Sequence, residues 1–280
     1  MRTIAYQEIV ETARRLCIDA NLYLGEDVLG LLRSAREREP SALGRRVLDE
    51  ILENNRIAMT EAVPICQDTG TAFVFVELGD EVRITGGGLR DAVDEGVRRG
   101  YTEAYLRKSM VSDPLRRRNT GDNSPAVMHV ELVPGDRVRM TLLPKGGGAE
   151  NMSRMTMLTP ADGEGGVRAF VIETVEKAGP NPCPPVVVGV GIGGTFDTVG
   201  FLAKRALIRK AGERHPDPFY ARMEEDLLAA INALGVGPMG YGGETTALDV
   251  RIEVYPCHIV SLPVAVNLQC HAARVARAEL

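Results

Sequence analysis

Apolar residues in the first sixty positions recur with the period of a helix. Ile9, Val10, Ala13, Leu16 and Cys17 share one face and predict a first helix. A second stretch runs over about 26–36. A third covers about 41–61, where Leu43, Val47, Leu48, Ile51 and Leu52 form a stripe and Ser41, after Pro40, is placed to cap it. The texture changes at Pro64. CQDTGT reads as a turn and TAFVFVEL as a strand of β-branched and aromatic residues. Gly86-Gly87-Gly88 opens a helical stretch over about 90–107, and residues 113–125 are a polar loop. AVMHVELV and RVRMTLLP read as strands joined at Pro134-Gly135-Asp136, a hairpin over 126–143. After the loop KGGGAENMS, a helix is expected over 165–178. PVVVGVGIGGTFD is a buried strand that enters a glycine turn and a helix over about 198–210, and a further helix covers 219–234. DVRIEVYP and IVSLPVAV predict a second hairpin over 248–266, and CHAARVARAEL a closing helix.

The expected fold is therefore mixed α and β, of the α+β kind. A helical N-terminal layer (1–62) packs on a body (63–280) of mostly antiparallel or mixed sheet with glycine-rich loops. The two parts read as one integrated domain. The sequence shows no internal repeat and no low-complexity tract.

Composition narrows the function. A chain of 280 residues with 44% hydrophobic content can bury a sizeable core. A net charge of −5 gives no reason to expect nucleic acid or an anionic membrane as partner. No run approaches the ~18 apolar residues of a membrane span. The start, MRTIAYQEIVETARRL, carries early charges and no apolar signal core, so a cytoplasmic location is expected. The 5 cysteines are scattered, and in a reducing compartment thiols serve as ligands, nucleophiles or packing rather than disulfides.

Three of those cysteines stand in glycine- and proline-rich turns: Cys66 in PICQDTGTA, Cys183 in NPCPPVVVGVGIGG and Cys270 in NLQCHAARV. Their spacing fits neither a ferredoxin run nor a structural zinc site. Spacing alone leaves open three unrelated cysteines. Three thiolates on flexible turns are also what an iron–sulfur cube with one unligated iron requires. Cys17, on the apolar face of the first helix, and Cys257, at a strand end, read as packing. GVGIGG matches G-x-G-x-x-G, but no βαβ unit with a following acidic residue accompanies it, so it reads as the turn behind Cys183.

The neighbours of these cysteines carry more. PICQDTGTAFVFVELG, NTGDNSPAVMHVELVPGD, LLPKGGGAENMSRM, NPCPPVVVGVGIGGTFD and GYGGETTALDVRIEVYPCHIVSLPVAVNLQCHAAR follow one another in order. Together they resemble the α subunit of the class I, iron–sulfur-dependent fumarases and L-tartrate dehydratases, over residues 5–278. The resemblance implies a [4Fe–4S] cluster on Cys66, Cys183 and Cys270. Its open iron would act on the hydroxyl of a 2-hydroxy dicarboxylic acid. It implies Asp68 and His258 as catalytic residues, and Gln67, Arg107 and the Lys145-Gly146-Gly147-Gly148 loop as substrate-binding. On residues alone, Asp68 reads first as an Asx-turn through Thr69-Gly70, and it is the resemblance that turns the reading to catalysis. Single-chain members of that family carry a further domain that supplies a threonine, arginines and a lysine. A chain of this length therefore implies a separate β subunit, with α–α contacts giving α2β2. The implied reaction is reversible hydration of fumarate to L-malate, with L-tartrate dehydration as the alternative. A non-catalytic cluster-bearing subunit and a zinc-stabilised module are the readings from other classes.

Overall fold

The computed structural model describes residues 1–280. Its elements run β1 (Arg2–Ala5), α1 (Tyr6–Leu22), α2 (Glu26–Arg38), α3 (Ala42–Glu61), β2 (Thr71–Gly79), β3 (Val82–Thr85), α4 (Leu89–Glu103), β4 (Val127–Val133) and β5 (Val138–Lys145). The chain continues with the single turn α5 (Gly147–Glu150), β6 (Arg154–Leu158), α6 (Gly163–Ala178), β7 (Val186–Gly193), α7 (Phe196–Ala206), α8 (Pro218–Asn232), β8 (Ala247–Tyr255), β9 (Leu262–Gln269) and β10 (Ala276–Glu279). Helices and two mixed four-stranded sheets make this the expected α+β fold. The chain divides into two compact units. The first holds 1–25, 55–147 and 274–280; the second holds 26–54 and 148–273. Residues 1–62 thus contribute to both.

In the first unit the sheet order is β10-β5-β2-β4. β2 is central, parallel to β4 and antiparallel to β5. Ile9, Val10, Ala13, Leu16 and Cys17 of α1 meet Val93 and Val97 of α4 and Val74, Met140 and Leu142 of the sheet in one buried core. The Val, Leu, Ile and Met side chains among them contribute about 1.5–3 kcal/mol each when fully buried. The two helices approach closely because α4 presents Gly96 and Gly100 to α1. A Cβ at Gly96 would stand 2.5 Å from that of Ala13, and one at Gly100 would stand 2.8 Å from that of Cys17.

The second unit orders its sheet β6-β9-β7-β8, with β7 parallel to β8 and antiparallel to β9. All eight residues of β7 are buried. Val188, Val190, Val250, Val264 and Val266 join residues of α6 and α8 in one core. Gly189 and Gly191 admit α7, whose Ala203 and Val199 carbonyls would lie 2.2 and 2.4 Å from an added Cβ. The first two glycines of GVGIGG are therefore helix-packing glycines. Gly193 and Gly194 have φ of +87° and +70° and make the turn.

Neither expected hairpin forms. β2 lies between β4 and β5, and β7 lies between β8 and β9. The central place goes to β2 in one sheet and to β7, buried along its whole length, in the other, and the flanking pair must open to admit it. The Pro134-Gly135-Asp136 turn bridges over the end of β2, where Glu81 N donates to Gly135 O (2.9 Å) and Gly79 N to Arg137 O (2.9 Å). The closing segment is not a helix but the edge strand β10, antiparallel to β5. Ala276, Ala278 and Leu280 pack on the core, while Arg277 and Glu279 point outward and Glu279 pairs with Arg139 (2.8 Å). A period of two overrides the helical propensity of alanine.

Candidate active site

Cys66, Gln67 and Asp68 lie in the loop between α3 and β2 of the first unit. That loop is gripped at successive backbone groups. Ile65 N donates to Asn21 O (2.9 Å). The carbonyl of Asp68 accepts from Arg274 Nη2 (3.0 Å), that of Thr69 from the Tyr101 hydroxyl (2.7 Å), and that of Gly70 from Tyr101 (3.0 Å) and Asn123 Nδ2 (3.0 Å). Tyr101 and Asn123 are fully buried, and burial raises the Tyr101 phenol far above its ordinary value. The hydroxyl is therefore a fixed donor across the working pH range. Satisfied buried polar groups of this kind hold one loop conformation.

Within that grip the side chains meet expected neighbours. Asp68 Oδ1 accepts from Gly70 N (3.0 Å), which is the Asx-turn, and Oδ2 accepts from Gly147 N (2.8 Å). One carboxylate thus shapes its own loop and also fastens the Lys145–Gly147 loop. A Cβ on Gly146 would press to 3.3 Å from Asp68 Oδ2. Lys145 is fully buried at the end of β5. Arg107 is exposed, and its carbonyl accepts from Thr69 Oγ1 (2.9 Å). Gln67 is exposed, and its Oε1 accepts from the Cys66 thiol (3.3 Å). The first unit thereby brings together Cys66, Gln67, Asp68, Lys145, Gly146 and Gly147, with Arg107 joined to them through its backbone carbonyl.

Gly148, Cys183, His258 and Cys270 belong to the second unit. Cys183 leads into β7, Cys270 follows β9, and His271 N donates to the Cys183 carbonyl (3.3 Å). His258 is exposed in the β8–β9 connection, where its Nδ1 accepts from Val260 N (3.3 Å).

The five thiols differ in kind. Cys17 is sealed in the core, and desolvation drives its thiol far above the ordinary value, so it stays protonated and inert. Cys257 is exposed and donates to Ser261 O (3.2 Å). Cys66, Cys183 and Cys270 are half-buried on turns. Cys183 has φ of +54°, a left-handed conformation that costs a side chain roughly 1–2 kcal/mol and that glycine adopts freely. No three His, Cys, Asp or Glu side chains converge as ligands of a single metal ion. A cubane cluster instead takes its thiolates on separate irons. Three half-accessible thiols on turns are donors of the right chemistry for it.

Sequence reasoning missed Asn21, Tyr101, Asn123 and Arg274, the residues that hold the Cys66–Gly70 loop. The available signal was polarity on otherwise apolar faces: Asn21 follows Ala20 in α1, and Arg274 follows Ala272-Ala273.

The family model for fumarate hydratase (Fumerase) matches residues 10–279. A Methanocaldococcus jannaschii protein, provisionally assigned as L(+)-tartrate dehydratase subunit alpha, is 45% identical over 274 residues, 95% of each chain. The L(+)-tartrate dehydratase alpha subunits of Escherichia coli and Shigella sonnei are each 31% identical over 273 residues, covering 96% of this chain and 90% of theirs. With the model spanning both units and the relatives aligned nearly end to end, this chain belongs to the fumarate hydratase family.

Proposed function

We propose that the chain is the α subunit of a two-subunit hydro-lyase acting on a four-carbon dicarboxylic acid, with Cys66, Cys183 and Cys270 holding a [4Fe–4S] cluster. The observation that carries this reading is the Cys66-Gln67-Asp68 loop, fixed at successive backbone groups and joined to the Lys145–Gly147 loop through Asp68, in a chain that matches the family throughout. When bound, such a cluster supplies a Lewis acid for the leaving hydroxyl. The chain's own residues do the rest of the work assigned here. Arg107 and Gln67 bind substrate carboxylates, the guanidinium as a two-pronged donor. The backbone of the Lys145–Gly148 loop lies along the substrate, and its N–H groups other than that of Gly147 take up negative charge that develops on a carboxylate as the neighbouring carbon loses its proton. Asp68, oriented by the N–H groups of Gly70 and Gly147, accepts or steers that proton. His258 contributes a second proton-transfer group. A β subunit completes the site, and α–α contacts give α2β2.

Hydration of fumarate to L-malate and dehydration of L-tartrate to oxaloacetate differ by one substrate hydroxyl. The family model favours the first and the relatives' names the second. Turnover of fumarate against L-tartrate by the anaerobically reconstituted pair of subunits decides between them. Turnover of neither substrate, with cluster and partner both present, refutes the hydro-lyase reading.

A further inference from the structure

The two units treat buried charge differently. In the second, Arg251 Nε donates to Asp249 Oδ2 (2.8 Å) and Lys204 pairs with Glu150, so each of these buried cations has its carboxylate. In the first, no Asp or Glu is fully buried, and Arg274 is a fully buried cation. Arg274 is 1% exposed and heads the large side chains that the fold encloses completely. Its Nη1 donates to Asn21 Oδ1 (3.1 Å) and its Nη2 to the Asp68 carbonyl (3.0 Å), while Nε meets no acceptor. Both acceptors are neutral. A buried guanidinium whose direct acceptors are all neutral is a costly group for a fold to hold. The cation lies against the loop that presents Cys66, Gln67 and Asp68, so its field falls on that loop.

We propose that Arg274 is an electrostatic positioning residue, a fixed counter-charge for an anion that docks on the Cys66–Gly70 loop. Two sources share that chemistry: the thiolate-ligated cluster, whose net charge is negative, and the carboxylate of the substrate. Only the naming of these sources rests on the hydro-lyase reading. The charge imbalance does not.

The test compares Arg274→Gln, which keeps a donor for the Asp68 carbonyl but removes the charge, with Arg274→Lys, which keeps the charge. The reconstituted complex is examined for the midpoint potential of its cluster and for its Kd for L-tartrate. The Gln variant binds tartrate about tenfold more weakly, or its cluster potential moves negative, or both. The Lys variant stays near wild type. A potential shift alone assigns the anion to the cluster; a Kd change alone assigns it to the substrate. Equal behaviour of Gln and Lys in both measurements overturns the proposal and leaves a carbonyl clamp. If Arg274→Gln fails to fold, the pair Arg274→Met with Asn21→Leu removes the charge together with one acceptor, and wild-type values in that protein are equally fatal. If the wild-type chain takes up no cluster, the hydro-lyase reading falls separately. The rise in Tm of the full chain with added tartrate then reads the anion. A rise lost in Gln and kept in Lys supports the proposal; no rise in wild type, or equal rises, refutes it.

Discussion

Gly70 closes the loop that carries Cys66 and Asp68, and replacing it by alanine tests how that loop is held. Its φ is +75°, so a side chain there costs about 1–2 kcal/mol before any contact is considered. The added Cβ would also stand 2.7 Å from Lys145 N, 2.8 Å from Lys145 C and 2.9 Å from Lys145 O. These are backbone atoms of β5, fixed by the Thr71↔Lys145 pairing, and cannot rotate aside. Overpacking of that kind adds about 1–3 kcal/mol, for a total of roughly 2–5 kcal/mol. Gly121 supplies the control. Its φ is +83° but nothing lies within 4 Å of its added Cβ, so Gly121→Ala pays about 1–2 kcal/mol for the backbone alone. Urea midpoints followed by far-UV circular dichroism give the two costs, and hydrogen exchange of β2 amides reports the first unit by itself. Gly70→Ala should also weaken dicarboxylate binding, because moving β2 from Lys145 pulls Asp68 from Gly147. Equal midpoint shifts for the two variants would refute the claim that β5 backbone packs against Gly70.

Two further outcomes are expected. Replacing Cys66, Cys183 or Cys270 by Ser abolishes the brown colour and bound iron of anaerobically reconstituted protein, whereas Cys257→Ser keeps both; iron retained after all three single changes would exclude this ligand set. Glu39 is buried in the second unit and accepts from Ser41 N (3.1 Å), Glu244 N (3.1 Å) and Thr245 N (2.8 Å). Burial raises its carboxyl, but hydrogen bonds from Thr245, Ser41 and Glu244 outweigh this and hold it below the ordinary value. Its contribution is therefore complete above the unfolded-state carboxylate range and is lost as pH falls through the lower folded value. Glu39→Gln should cost roughly 2–4 kcal/mol at neutral pH and flatten the acid limb of the stability curve; an unchanged limb would assign acid sensitivity to other groups.

Helices were the most legible part of the sequence. The stripes in α1 and α3 recur over several turns, so position and type follow from pattern alone. Strand partners were not, because a run such as VMHVELV states its pleat but not its neighbour. β2 enters between β4 and β5 from far along the chain, and nothing in the Pro134–Asp136 turn announces it. β10 was misread because ARVARAEL suits a helix locally, and only pairing with β5 selects the strand. At the site, residues within the motifs were legible: Asp68 and Gly147 meet through one hydrogen bond. Tyr101, Asn21 and Arg274 were not, because each acts on the loop from a distant element through a backbone carbonyl or amide that sequence does not display.

Both sheets follow one plan: an edge strand, an antiparallel strand, a central strand paired on both sides and a parallel neighbour, with β2 and β7 at the centre. Cys66 stands just before β2 and Cys183 just before β7. Each sulfur therefore inherits the stiffness of the best-anchored strand in its own module. Loosening either thiol means prying out the middle plank of a floor, so fraying of the edge strands β10 and β6 should reach these two turns last.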